Sequence, residues 1–187
     1  RSLLIQNNKL HRKGLGQMPG AGINIWGAKQ AKIFRNRIYG WPIRRGSACL
    51  KLANGEDMTV QHNHCGGLLQ LVHESIHPRY LRRIRVTDNT IKIPPSVLPR
   101  GWANKYKNWL PGSPQRMAAR FGGIIVERNF TEALAAPELM ETGLVLSGNK
   151  VENGLISVSG IRPGALEIGG NSAALCRWSK ELKPSSD

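Results

Sequence analysis

The sequence predicts an α+β protein: a basic extended N-terminal arm and helical segments, then a small module of two helices packed on a short, tightly turned β-sheet. Three observations predict it. Apolar residues recur at roughly helical spacing over 28–39 and 67–75. Leu144 and Leu146, then Leu155, Ile156 and Val158, then Leu166 and Ile168, alternate as strands do. Turn formers separate these runs: Gly143 after the second module helix, Ser147-Gly148-Asn149-Lys150 as a hairpin tip, and Arg162-Pro163-Gly164 before the last strand.

Residues 1–27 are rich in Gly and Asn and read as an extended arm with turns. Residues 28–75 read as a helical region. Ala28, Ala31, Phe34 (or Ile33) and Ile38 make one apolar stripe that Gly40 ends, 46–66 is loop, and Leu68, Leu69, Leu71 and Val72 face a core. Within 77–86 the pattern fits a helix end or a strand equally. Residues 76–115 form a basic insertion broken by Pro94, Pro95, Pro99, Pro111 and Pro114, with Trp102, Tyr106 and Trp109 between cations. The module spans 116–170. Its first helix carries Phe121, Ile124, Ile125 and Val126. Its second runs from Glu132 to Thr142, with Thr131 as N-cap. Residues 171–187 read as a polar tail.

The chain of 187 residues has 27 Lys and Arg against 12 acids, a formal net charge of +15. The distribution is uneven. Residues 1–55 hold 11 Lys/Arg and no acid, 79–120 hold ten against Asp88 alone, and 121–170 hold three against six Glu. A one-signed segment of that length is expected to order against a polyanion, because each neutralised phosphate releases counterions. No run approaches the roughly 18 apolar residues of a membrane span, and no basic amphipathic helix suggests a membrane partner. The three cysteines are odd in number and far apart, which predicts no disulfide framework and a reducing compartment. His62, His64, Cys65 and His73 cluster, but paired Cys-x-x-Cys spacing is absent, and no metal, cofactor or catalytic residue is expected.

Residues 120–168 resemble the S4 RNA-binding domain, and the whole chain is similar to the S4 ribosomal protein family of the small subunit. The resemblance is carried by Arg120, Ile124-Ile125-Val126, Phe130, Ala135-Ala136, Leu139-Met140, Gly143, Ser147-Gly148-Asn149-Lys150-Val151 and Arg162-Pro163-Gly164. Upstream, 9–20, 32–40 and 66–74 are similar to family segments in the same order. The family's helix aspartate is Gly122 here, and Leu134, Pro137 and Glu138 replace its second helix's arginine face.

The resemblance implies a structural constituent of the small ribosomal subunit that binds its rRNA and supports assembly. It implies neighbouring small-subunit proteins and mRNA near the entry channel as partners, in a mitochondrial or, alternatively, plastid ribosome. The alternatives are an S4-domain RNA-modifying enzyme of pseudouridine synthase type and a non-ribosomal RNA-binding factor. The module would contribute Arg120, Arg128, Lys150 and Arg162 to RNA. The basic segments would contribute Arg12, Lys13, Lys32, Arg35, Arg37, Arg44, Arg45, Arg82, Arg83 and Arg85, acting on phosphates rather than base edges.

Overall fold

The computed structural model describes residues 2–12, 20–40, 47–73, 83–92, 123–128, 143–158 and 166–178. These residues hold sixteen strands, all paired in parallel, and no helix. The chain winds as a parallel β-solenoid of six coils. The first coil is β1 (Leu3–Gln6), β2 (Lys9–His11) and β3 (Gly20–Trp26). The second is β4 (Ala31–Phe34), β5 (Arg37–Tyr39) and β6 (Ser47–Ala53), and the third β7 (Thr59–Gln61), β8 (His64–Cys65) and β9 (Leu68–His73). The fourth is β10 (Arg85–Thr87), β11 (Thr90–Lys92) and β12 (Gly123–Arg128). In the fifth, β13 (Leu144–Ser147) leads into β14 (Lys150–Val158), and in the sixth β15 (Leu166–Gly169) leads into β16 (Ser172–Trp178).

The coils stack into three walls. The first wall is a sheet in the order β1-β4-β7-β10-β13-β15. The second is β2-β5-β8-β11 and the start of β14, and the third is β3-β6-β9-β12 and the end of β14. β16 follows β14 around the same bend, whose register shifts between Val151 and Leu155. Many strands bury one face on the interior and turn the other outward, although β6 and β13 are buried on successive positions, Ala48 to Leu50 and Leu144 to Leu146. Strands of the first kind alternate apolar and polar, as half-buried antiparallel strands do, rather than reading as continuous apolar runs.

One local pattern builds the bend between the first two walls: apolar-x-x-Asn-x-apolar. It occurs at Ile5–Leu10, Ile33–Ile38, Val60–Cys65, Val86–Ile91, Leu146–Val151 and Ile168–Ala173. The residue before each asparagine has a left-handed backbone: φ is 59° at Asn7, 52° at Arg35, 54° at His62, 55° at Asp88, 63° at Gly148 and 59° at Gly170. That turn swings the following asparagine inward, where Asn36, Asn63, Asn89 and Asn149 are buried. Each asparagine is linked to the next by its backbone N–H and its Nδ2, which both donate to the next Oδ1. Asn36 donates to Asn63 at 3.0 Å and 3.0 Å, and Asn63 to Asn89 at 2.9 Å and 3.0 Å. The sequence separations are 28, 27, 26, 60 and 22 residues, so the fourth coil carries the extra chain. The ladder satisfies polar groups at a bend where strand pairing lapses.

Inside, residues stack in columns. Ile33, Val60, Val86 and Leu146 line the first wall, Ile38, Cys65, Ile91 and Val151 the second, and Leu50, Leu69, Ile124 and Ile156 the third. Cys49 and Cys65 are paired as a disulfide across this interior, with Cα atoms 5.8 Å apart. The expectation that the cysteines form no disulfide is corrected accordingly. Two cysteines far apart in sequence meet because adjacent coils bring them together.

The α+β expectation is overturned. Residues 28–39 form β4 and β5, residues expected as loop form β6 to β8, 67–75 contains β9, and the first module helix is β12. The apparent helical stripe of Ala31, Ile33 and Ile38 is two strand positions followed by an inward position after the Asn bend; all three are buried. Strands expected near 144–146, 155–158 and 166–168 are present. Ser147–Lys150 is a solenoid corner and not a hairpin tip, for β13 pairs with β10 and β15 and never with β14. The second module helix at 132–142 falls outside the described residues.

Gly148 suits its corner for two reasons. Its φ is positive, and a Cβ there would collide with Asp88 Oδ1 of the coil below. Gly148→Ala is expected to cost about 1–2 kcal/mol in urea unfolding, and Gly148→Asn less, since asparagine tolerates this conformation. Equal losses for the two would mean that the space rather than the φ matters.

Candidate polyanion-binding face

The exposed positions of the Asn corner form columns parallel to the solenoid axis. Successive coils place equivalent residues about 4.8 Å apart. One outward column of the first wall runs Leu4, Lys32, Thr59, Arg85, Val145, Glu167. The left-handed corner itself runs Asn7, Arg35, His62, Asp88, Gly148, Gly170. Just beyond the ladder, the second wall runs Lys9, Arg37, His64, Thr90, Lys150, Ser172.

These columns concentrate cations on the first four coils. Coil 2 alone presents Lys32, Arg35 and Arg37, wrapped around the corner and all exposed. Lys9 stands one coil away from Arg37. Arg85 stands two coils from Lys32, roughly 10 Å along the axis. His62 and His64 lie between them, also exposed. Among the described residues, Lys9, Lys32, Arg37 and Arg85 form no ion pair. Among the described residues the single acid in this patch is Asp88, which accepts a hydrogen bond from Gln61 Nε2 at 3.2 Å. The Arg35 guanidinium lies 4.6 Å from the centre of the half-buried Phe34 ring, and the His62 ring meets Phe34 edge-on at 5.5 Å. This arrangement offers a planar cation and two rings at the surface, the equipment that stacks on unpaired bases.

Four other described cations are matched by acids. Lys150 and Lys92 lie 3.1 Å and 3.5 Å from Glu152. The hydrogen bond from Lys150 holds the Glu152 carboxyl below its ordinary pKa, helped by the charge of Lys92. Arg83 forks onto Asp57, with Nη2 2.8 Å from Oδ2, and sits 3.6 Å from Glu56, which also pairs with Lys29. Arg83 holds the Asp57 carboxyl below its usual range, and Lys29 does the same for Glu56.

The residues expected from sequence to contact RNA thus divide. Lys32, Arg35, Arg37 and Arg85 come together on the ridge. Arg83 faces a carboxylate pair instead, and Lys150 is bridged to Glu152. Arg12 is half-buried at the end of β2. Arg128 ends β12, on the third wall. Lys13, Arg44, Arg45, Arg82, Arg120 and Arg162 lie outside the described residues, as do Trp102, Tyr106 and Trp109. The histidine cluster is split by strand alternation: His64 points outward and Cys65 inward. Among the described residues no group of three His, Cys, Asp or Glu is placed to hold a metal.

Lys9 and Phe34 belong to the patch and escaped sequence reasoning, which noted His62 and His64 only as members of a His/Cys cluster. The signal that finds Lys9, His62 and His64 is the repeated asparagine, because each of them flanks one at an exposed position. No family model, curated protein or solved structure matches the chain.

Proposed function

We propose that this protein binds a single-stranded stretch of RNA along the basic corner of coils 1 to 4, as a non-catalytic scaffold. The observation that carries the reading is the convergence of Lys32, Arg35, Arg37 and Arg85 on one ridge where Asp88 is the sole acid among the described residues. Further support comes from the Phe34–Arg35–His62 group, which adds stacking surface beside the cations. A rigid solenoid presents these charges at fixed intervals, so a flexible polyanion loses ordering entropy while the protein loses little.

The narrower expectation, an rRNA-binding component of a mitochondrial or plastid small subunit, drew on a two-helix module. The described residues hold strands at the first of those helices, so the proposal is made at the level of RNA. The Cys49–Cys65 disulfide also fits an oxidising compartment better than a reducing one.

Titration of labelled single-stranded RNA at several salt concentrations tests the proposal. Changing Lys32, Arg35, Arg37 and Arg85 together to Gln should reduce the slope of log affinity against log salt by about 2–3, at ~0.7 per lost contact. Changing Lys92 and Lys150 to Gln should leave the slope nearly unchanged, because Glu152 already occupies them. The reverse ranking would overturn the proposal. Binding of an acidic polysaccharide with no RNA binding would reassign the ridge to that ligand.

A further inference from the structure

Coil 2 carries a second outward aromatic residue, on the opposite side of the corner from Phe34. Over 32–39 the inward positions are Ile33, Asn36 and Ile38, all buried. Lys32, Phe34, Arg35, Arg37 and Tyr39 take the positions between, and none of them is buried. Phe34 ends β4 on the first wall, and Tyr39 ends β5 on the second. Exposed Arg35 and Arg37 lie between the two rings. Five residues of extended chain span at most about 18 Å, and the left-handed turn at Arg35 shortens that reach.

Tyr39 has a defined seat. In the next coil Cys65 pairs with Ile38, and the Gly66 N–H donates to Ile38 O at 2.8 Å, so Gly66 follows in register beside Tyr39. A Cβ at Gly66 would meet Tyr39 Cδ1 at 3.2 Å, tighter than an ordinary contact. The ring therefore leans over the bare backbone of coil 3 and fills the place a side chain would take. Tyr39 is half-buried, so part of it stays accessible. A side chain already held in this way loses little freedom when a ligand stacks on it. In the neighbouring column, Arg37 and His64 stand side by side between Tyr39 and the corner.

Phosphates held by Lys32, Arg35 and Arg37 leave the bases of a single strand free to turn down either wall. On the first wall Phe34 and His62 meet them. We propose that Tyr39 meets them on the second, as a further base-stacking residue of the ridge, so that part of the ridge's affinity goes only to strands with unpaired bases. The inference rests on the ridge being an RNA site. A duplex can offer phosphates to the corner, but its base faces are stacked on one another and none is free for Tyr39. Tyr39 also covers Gly66, and that cover alone would need only bulk.

Three labelled ligands test this: an adenylate strand of about eight nucleotides, an abasic ribose-phosphate strand of the same length, and the adenylate strand annealed to its complement. Tyr39→Leu keeps an apolar cover on Gly66 and removes the ring. It should weaken binding of the adenylate strand about tenfold. Affinity for the abasic strand and the duplex should stay within about twofold, and the salt slope should not change, since no charge is lost. Tyr39→Phe should bind as the wild type does. Tyr39→Trp covers the case in which the leucine variant folds poorly. Its fluorescence should be quenched by the adenylate strand and not by the abasic one, beyond any change in the wild type. Absence of that quenching overturns the proposal. So does a leucine variant that binds the adenylate strand as the wild type does, or one that loses affinity for all three ligands alike, the mark of a purely structural Tyr39. A wild type that binds neither single strand removes the RNA reading of the ridge itself, and this proposal with it.

Discussion

Replacing Asn63 with alanine should destabilise the protein by about 3–5 kcal/mol, the largest effect expected of any single polar substitution here. Asn63 is fully buried at the centre of the ladder. Its Oδ1 accepts from the Asn36 N–H and Asn36 Nδ2, both at 3.0 Å. Its Nδ2 reaches Ile33 O at 2.9 Å, Gln61 O at 3.0 Å and Asn89 Oδ1 at 3.0 Å. Alanine removes all of these and leaves the Asn36 N–H and the Ile33 carbonyl buried, each without that partner. An unsatisfied buried group costs about 1–3 kcal/mol. Asn8→Ala, at the exposed end, should cost only about 1 kcal/mol. Urea denaturation of the oxidised protein, followed by circular dichroism and tryptophan fluorescence, gives both values. A loss below about 1 kcal/mol for Asn63→Ala would mean that the ladder does not hold the coils in register.

The second large effect concerns the third wall. Leu69 stacks between Leu50 and Ile124, and all three are fully buried. Leu69→Ala removes roughly three methylene-sized groups from a site walled by neighbouring coils. Strand pairing on both sides limits collapse into the gap, so about 3–4 kcal/mol is expected, within the range for buried leucines. Leu4→Ala, on an exposed position, should cost less than about 0.5 kcal/mol. In a solenoid each coil touches only its neighbours, so a defect at coil 3 loosens the coils on both sides of it. Similar losses for Leu69→Ala and Leu4→Ala would contradict the stacked core.

The corner residues show how the sequence misleads about its own fold. Ala31, Ile33 and Ile38 fall close to one helical stripe, and the cations between them complete the picture of an amphipathic helix. In the structure Asn36 turns the chain between two short strands, so inward positions run i, i+2 and then i+7. A corner inserted into a period of two imitates a period near 3.6. The same corner explains Ser147–Lys150. Gly148-Asn149 between alternating runs is a strong hairpin signal, and the left-handed residue is really there, but the chain turns into the next wall instead of back on itself.

The sequence by itself determined where the charge lies, where the later strands run and that the chain turns at Gly143 and at Ser147–Lys150. Acid-free residues 1–55 supply the coils that carry most of the ridge, and the Glu-rich stretch supplies Glu152, which pairs with Lys150. Glycine at 143 and 148 permits the positive φ found there. Only the tertiary structure decided that the strands pair in parallel, that six asparagines form one ladder, that Cys49 meets Cys65 and that Lys32, Arg35, Arg37 and Arg85 share a ridge. The physical reason is distance along the chain. Each of these facts depends on register between segments 16 to 60 residues apart, and that register is fixed only when neighbouring coils bury the same columns and satisfy the same bonds.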